Sequence, residues 1–283
     1  MTERTAALFS HSQPDQTADA IRATCAAAEA AGVRVVATGD EVAKHGDVGE
    51  GIQTVSELPD RPEICLAIGG DGTILQALER YADSGVPVFG INHGTIGFLA
   101  AAERDQTEES LQRAFAGDFE TVDLPGLVTD LGADWPVALN DVSFIRKPHG
   151  RVAELSYSLG GSEIGHVRCD GLVAATPVGS TGYNLANQGP ILAWGVEGYV
   201  VSFIAPHTLT ARPLVVAPGD VLHVSNERGR EPVDILVDGR PVSELASGAE
   251  LAVAFRDGAG VLAQLPGANF YERMRVKFGL LAG

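Results

Sequence analysis

Lysine is almost missing from this chain: Lys44, Lys147 and Lys277 are the only lysines among 20 basic residues in a length of 283. Against them stand 37 acidic residues, for a net charge of −17. A surface that acidic argues against nucleic acid and anionic membranes as partners, since both are bound through positive charge. Cysteine is scarce too. Cys25, Cys65 and Cys169 are odd in number and lack metal or disulfide spacing, so they read as free thiols in a reducing cytoplasm. No apolar stretch approaches the roughly 18 residues that cross a bilayer, and the opening Met1-Thr-Glu-Arg lacks a signal pattern. There is no Gly-Lys pair, which excludes a Walker A loop. What is plentiful is acid and small side chains, a balance that suggests adaptation to molar intracellular salt in a halophilic organism.

An apolar fraction of 45% supports real cores, and the length suits two domains. Residues 64–68 are a short apolar run that reads as a buried parallel strand, followed through a glycine turn by helical spacing at Ile74, Leu75, Leu78 and Tyr81 over 73–81. Strands at 5–9 and 33–37, a helix over 15–31 closed by Gly32, and a strand at 86–91 complete an alternating pattern. The loop-rich stretch 38–62 has room for one short element, and 103–117 reads as a connecting helix. This predicts a doubly wound, Rossmann-like α/β domain over residues 1–120, with ligand at the carboxyl ends of the strands. The texture then becomes β-rich, with short segments at 119–131, 136–146, 151–159, 163–176, 199–205, 213–216, 220–225, 233–237 and 250–256. These predict an all-β, sandwich-like domain over 121–265. The tail 266–283 has aromatic and basic content and is expected to pack back on the first domain.

Special residues concentrate in four places. Gly69-Gly70-Asp71-Gly72-Thr73 joins strand to helix, where glycines let backbone N–H groups approach a phosphate with the helix dipole behind them. Ordinary turn chemistry would account for the glycines alone. Asp71 repels phosphate and so points to a metal or to a proton taken from an attacking hydroxyl. Asn92-His93-Gly94-Thr95-Ile96-Gly97-Phe98 follows the next strand on the same sheet edge. Leu139-Asn140-Asp141-Val142 puts two polar residues side by side in an apolar strand, so one of them faces a site, an interface or a satisfied turn. Arg168-Cys169-Asp170-Gly171 leads to Thr176-Pro-Val-Gly-Ser-Thr181-Gly-Tyr183, a hydroxyl-rich turn and a second candidate nucleotide cradle. Asp170 and Arg168 read as a surface pair or as a carboxylate aimed at ligand. Ser180 lacks His and Asp companions at nucleophile-elbow spacing, which discounts a serine hydrolase.

Taken in order, Gly69-Gly-Asp-Gly-Thr73, Asn92-x-Gly94-x-x-Gly97-Phe98-Leu99, Asn140-Asp141, Asp170-Gly171, Thr176-Pro-Val-Gly-Ser-Thr-x-Tyr183, Pro206-His-Thr-Leu-x-x-Arg212-Pro-Leu-Val215 and Asp238-Gly239 resemble the NAD kinase family across nearly the whole chain. The first motif alone is also carried by diacylglycerol kinases and sphingosine kinases and, in related form, by phosphofructokinases. The resemblance implies phosphorylation of the adenosine-ribose 2′-hydroxyl of NAD to give NADP, with the nucleotide between the two domains of a homodimer or homotetramer. It implies Asp71 as acid/base. Gly69, Gly70, Gly72 and Thr73, with Asn92, are expected at phosphate, Gly72 being counted at the NAD as well. Phe98, Asn140, Asp141, Arg168, Asp170, Thr181 and Tyr183 are expected at the NAD. Mg²⁺ or another divalent cation is expected with the phosphoryl donor, ATP or polyphosphate.

The chain departs from the family pattern at several points. Asp141 replaces a more usual glutamate, Val178 a Thr or Ser, and Gly182 an alanine. Asn184-Leu-Ala186-Asn187-Gln188-Gly189-Pro190 stands where Ser-x-Ser-Ala-Gly-Gly-Pro is common, so a possible ligand hydroxyl is lost at Ala186 and bulk is added at Asn187 and Gln188. Two other readings compete. A lipid or small-molecule kinase sharing the first domain leaves residues 170–183 unexplained, and a non-catalytic NAD(P)-binding regulator leaves Asp71 unexplained.

Overall fold

A computed structural model describes residues 4–11, 13, 16–94, 97–130 and 136–279. The chain divides into two units, Met1–Asp123 with Gly260–Gly283, and Leu124–Ala259. The divisions fall a few residues from the expected 120 and 265. Thr95 and Ile96 of the glycine-rich motif, and Ser12, Pro14 and Asp15 of the expected first loop and helix start, lie outside the described residues.

The first unit follows the alternating pattern: β1 (Thr5–Ser10), α1 (Ala18–Ala31), β2 (Arg34–Thr38), α2 (Gly39–Ala43), β3 (Gln53–Val55), β4 (Ile64–Gly69), α3 (Asp71–Arg80), β5 (Pro87–Asn92), β6 (Ala102–Glu103) and α4 (Thr107–Ala116). The stretch 38–62 carries more than the one element expected: α2, a 3-10 turn at Gly46–Gly49 and β3. The strands run parallel in the order β5-β4-β1-β2-β3. All six residues of β4 are buried, which is why it reads as a continuous apolar run. Successive strands lead away from β1 in both directions, β2 and β3 to one side and β4 and β5 to the other. The order therefore reverses between β1 and β4, and a doubly wound sheet opens its ligand crevice at that point, beyond the carboxyl ends of the strands. Ser10 and Gly69 are those ends.

The second unit comprises β7 (Glu120–Thr129, its first four residues counting with the first unit), β8 (Asp141–Arg146), β9 (Ala153–Leu159), β10 (Ser162–Cys169), β11 (Gly171–Ala175), the one-turn α5 (Tyr183–Ala186), β12 (Tyr199–Ile204), β13 (Leu214–Val216), β14 (Leu222–Ser225), β15 (Val233–Val237), β16 (Arg240–Leu245) and most of β17 (Glu250–Gln264). Strands β10-β9-β14-β17 form one antiparallel sheet and β13-β12-β11-β8-β15-β16 the other. Alternate residues of both sheets, among them Leu155, Val167, Leu222, Val253, Phe144, Leu172, Val201 and Ile235, share one buried core.

The expected strand 163–176 is two strands. At Asp170 the chain leaves β9 as partner and enters the other sheet between β8 and β12. Gly171 makes that crossing possible, since a Cβ there would stand 2.4 Å from the Phe144 carbonyl oxygen. β16 was not expected, and β17 runs well past residue 256. From Gly260 the chain returns to the first unit, where Val261–Ala263 pair in parallel with Pro87–Phe89 of β5. The tail forms α6 (Phe270–Phe278), capped by Asn269, whose Oδ1 accepts the Tyr271 N–H at 2.9 Å. No helix among the described residues is long and apolar enough to cross a membrane.

Candidate functional site

Two clusters of the expected residues are built, one in each unit. In the first, α3 begins at Asp71 rather than beyond the glycine turn, so Asp71 occupies the helix's first turn with Gly70 as its N-cap. Gly69 has to be glycine: a Cβ would meet the Thr73 hydroxyl oxygen at 2.4 Å, because Thr73 folds back over the strand end. The turn also packs backbone to backbone against the next loop. His93 N–H donates to the Gly69 carbonyl at 2.9 Å, and a Cβ on Gly94 would stand 3.2 Å from the Gly70 Cα. Gly72, by contrast, is exposed and faces open space. Within the first turn of α3 the Thr73 N–H donates to the Gly70 carbonyl at 2.9 Å, and the positive end of the helix dipole lies at this turn beside the exposed Gly72.

Asp71 is not left to solvent. Its Oδ1 accepts the N–H groups of Phe98 and Leu99, each at 3.0 Å, and its Oδ2 accepts Phe98 N–H at 2.9 Å. Burial raises its pKa above the usual carboxylate range, while these amides and the nearby charges of Lys277 and Arg273 pull the other way. The result is an oriented carboxyl group whose proton affinity is above normal, with Oδ2 the less heavily bonded oxygen. That suits a group that accepts and returns a proton.

Asn92 and Phe98 occupy different surroundings from those expected. Asn92 is buried; its Nδ2 donates to Glu103 Oε2 at 2.7 Å and its Oδ1 accepts Gly94 N–H at 3.0 Å, so its side chain shapes the loop. Phe98 is buried with its ring 5.1 Å from that of Phe278 on α6, so its backbone N–H, rather than its ring, is what reaches Asp71.

In the second unit, Asn140 stands just before β8 and Asp141 begins it, so the pair lies at a strand entrance instead of inside a strand. One carboxylate organises both. Asp238 Oδ2 accepts Leu139 N–H at 2.9 Å, and Oδ1 accepts those of Asn140 at 2.7 Å and Asp141 at 2.9 Å. Asp238 and Gly239 form the two-residue turn between β15 and β16, with φ of 48° and 78°, the positive values that favour Asp-Gly in tight hairpins. Thr176 adds a second tie: its hydroxyl donates to the Leu139 carbonyl at 2.6 Å and accepts Gly179 N–H at 3.1 Å. Gly179 presses on Asn140, its Cβ position only 2.0 Å from the Asn140 carbonyl oxygen.

Asp141 is 6% exposed, with its Oδ1 buried and without a hydrogen-bond partner among the described residues. Burial and the charge of Asp238 push its carboxyl up to about 7. The Tyr183 hydroxyl feels Asp141 and Asp170, and its pKa is raised by burial and by those two charges. Asp141 and Asp170 thus lie near enough to Tyr183 for their charges to act on it, and Asn140 precedes Asp141 at the entrance of β8. Thr181 closes its own turn through the Val178 carbonyl at 3.1 Å.

Arg168 and Asp170 do not pair with each other. Asp170 takes Arg146 Nε at 2.6 Å, whereas Arg168, exposed on β10, faces Glu154 at 3.5 Å. Neighbours on a strand point to opposite faces, and Cys169 is the buried one, which turns Arg168 outward.

The departures after Tyr183 sort by burial. Asn184 is fully buried, its Nδ2 donating to the carbonyls of Ser180 and Pro190, each at 3.0 Å, so it staples the turn. Ala186 and Gln188 are exposed, and Asn187 bonds back to the Tyr183 carbonyl at 2.8 Å. Asp238, Arg146, Gln264, Arg273 and Lys277 were not singled out as site residues in the sequence. The Asp-Gly hairpin signal at Asp238-Gly239 was available for one of them.

The architecture is one shared by nucleotide-binding kinases of known structure. Yeast NADH kinase complexed with NADH superposes with a TM-score of 0.85 at 20% identity, covering 99% of this chain and 89% of that one. An NAD kinase from Archaeoglobus fulgidus in complex with ATP gives 0.72 at 23% identity, covering 98% and 97%. Residues 18–119 match the family model of the ATP-NAD kinase N-terminal domain, and residues 139–259 that of the C-terminal domain. The NAD kinase of Symbiobacterium thermophilum is 34% identical over 86% of this chain and 90% of its own length, and that of Rhodopirellula baltica 36% identical over 77% and 71%. The chain belongs to the NAD kinase family, transferases that phosphorylate NAD.

Proposed function

We propose that this chain transfers the terminal phosphoryl group of ATP to the 2′-hydroxyl of the adenosine ribose of NAD, with Asp71 as the acid/base. The observation that carries the assignment is the Asp71 carboxylate, fixed by the Phe98 and Leu99 amides at the start of α3 with raised proton affinity. Asp71 Oδ2 takes the hydroxyl proton as the new O–P bond forms and the bond from the γ-phosphorus to the bridging oxygen breaks, releasing ADP. Gly69, Gly70, Gly72 and Thr73 form the turn that the donor phosphates approach at the helix start, Thr73 through its hydroxyl since its N–H is held by the Gly70 carbonyl. Asn140, Asp141, Asp170 and Tyr183 bind the dinucleotide. In the Archaeoglobus relative the bound nucleotide is ATP, which favours ATP over polyphosphate as donor here.

Among the described residues no three His, Cys, Asp or Glu side chains gather as a metal site. A divalent cation would arrive with the donor and neutralise charge on its phosphates. The three free thiols fit a reducing cytoplasm, the acidic surface fits molar salt, and exposed Val215 on the edge strand β13, with exposed Leu209 shortly before it, favours assembly as a homo-oligomer.

The test is to incubate the purified protein with Mg-ATP and NAD in molar KCl and to separate the products. NADP is expected. Asp71→Asn is expected to keep NAD affinity within a few-fold while lowering kcat by about 10²–10⁴, the usual worth of a positioned acid/base. Near-normal turnover in that variant removes Asp71 from the mechanism.

A further inference from the structure

Residues 97–100 of the first unit have no regular secondary structure, so their backbone groups need partners from elsewhere. The N–H groups of Phe98 and Leu99 are committed to Asp71. All three carbonyls of Phe98, Leu99 and Ala100 are held from the other side, by residues some 165–175 positions later in the chain. Arg273 Nη1 donates to the Phe98 carbonyl at 3.0 Å and also to that of Ala100. Gln264 Nε2 donates to the Leu99 carbonyl at 2.9 Å, and Gln264 Oε1 in turn accepts from Arg273 Nη2. The segment is thus gripped between the candidate base and one guanidinium. A second hold runs parallel to it: Lys277 Nζ donates to Glu103 at 2.8 Å, Glu103 accepts Asn92, and Asn92 accepts the Gly94 amide.

We propose that Arg273 is a positioning residue for phosphoryl transfer, holding the 98–100 segment in the arrangement that presents its amides to Asp71. The proposal rests on Asp71 being the acid/base. A planar guanidinium fits the task because its N–H groups diverge in one plane and can bridge two carbonyls and an amide oxygen at once; an ammonium is a single point. The positive charge of Arg273 also acts on Asp71 directly, each favouring the charged form of the other, and Glu103 supports Arg273 in the same way. Removing the guanidinium slackens the amides that favour the carboxylate and deletes a nearby cation. Both changes raise the proton affinity of Asp71, so the acid limb of the kcat profile moves to higher pH.

The variants Arg273→Ala and Arg273→Lys test this, with Val276→Ala, a 70% exposed position on the same helix, as control. Arg273→Ala is expected to lose roughly 10–100-fold in kcat, the scale of an ångström-level misplacement, with KM for NAD within about threefold. Its acid limb is expected to move upward, and millimolar guanidinium ion to restore part of the rate. Arg273→Lys is expected to fall short of the parent, and Val276→Ala to match it. A kcat for Arg273→Ala within threefold of the parent and an unmoved pH profile overturn the proposal. So does a loss of rate that tracks a fall in melting temperature and NAD binding and is not rescued by guanidinium. Should Arg273→Ala fail to fold, Arg273→Lys decides: lowered kcat with a shifted acid limb supports the proposal, parental kcat overturns it. Asp71→Asn run alongside separates the two ideas. If it stays active, the assignment of Asp71 fails; if it is inactive while Arg273→Ala is normal, only the role of Arg273 fails.

Discussion

Asp141 and Asp238 set two carboxyl groups against one short segment, and they divide the work. Asp238 takes three amides, whereas Asp141 is buried with its Oδ1 unpartnered among the described residues. Burial and the neighbouring Asp238 charge hold the Asp141 carboxyl at about 7, against about 3.9 for an unfolded aspartate. Between those values the folded chain keeps a proton that the unfolded chain releases, so this residue makes stability fall as pH rises from about 4 to 7. Asp141→Asn removes the term. Its melting temperature is expected to exceed the parent's at pH 8, with the gap closing toward pH 4, as followed by circular dichroism across that range. A gap that is absent at pH 8 would mean that Asp141 is ionised without cost. The same variant is expected to bind NAD more weakly if Asp141 meets the nucleotide, so stability and binding part company at one side chain.

At the scale of elements, the join of β4 to α3 contains two glycines with opposite tolerances. Gly69 is closed in by Thr73, so Gly69→Ala is expected to displace that side chain and lower stability and activity together. Gly72 faces open space inside a helix, so Gly72→Ala is expected to raise stability by about 0.5–1 kcal/mol through helix propensity alone. If donor phosphates approach there, activity falls while the melting temperature rises; parental activity would place the phosphates elsewhere. This join was legible in the sequence because β4 is a fully buried apolar run and the helical spacing of Ile74, Leu75 and Leu78 matches the buried face of α3. β16 was not, since Arg240-Pro-Val-Ser-Glu-Leu245 is a half-exposed strand with no clear alternation. The crossing at Asp170 was hidden for another reason: an uninterrupted β pattern does not reveal a change of partner. The hold of Arg273 on Phe98 and Ala100 joins residues far apart in sequence, where local spacing carries no signal.

For the whole molecule, a net charge of −17 with three lysines makes self-repulsion a matter of solvent. The screening length falls from about 10 Å at 0.1 M salt to about 3 Å at 1 M. The melting temperature is therefore expected to climb as KCl is raised from 0.1 to 2 M, measured by calorimetry at fixed pH. A flat or falling response would detach the acidic surface from any adaptation to salt. The path of the chain has a separate consequence. The first unit is made of two pieces, and all of Leu124–Ala259 lies between them. A ribosome must translate the whole second unit before the strand piece Val261–Ala263 that pairs with β5, and the residues that grip the 98–100 segment, exist. Asp71 is among the early residues to emerge, yet its supports are among the late ones. A chain broken off between the second unit and Arg273 therefore carries every residue of the phosphate turn and lacks Arg273 behind it. If Arg273 holds the 98–100 segment for Asp71 as proposed, catalytic competence marks a chain that has been read through both units.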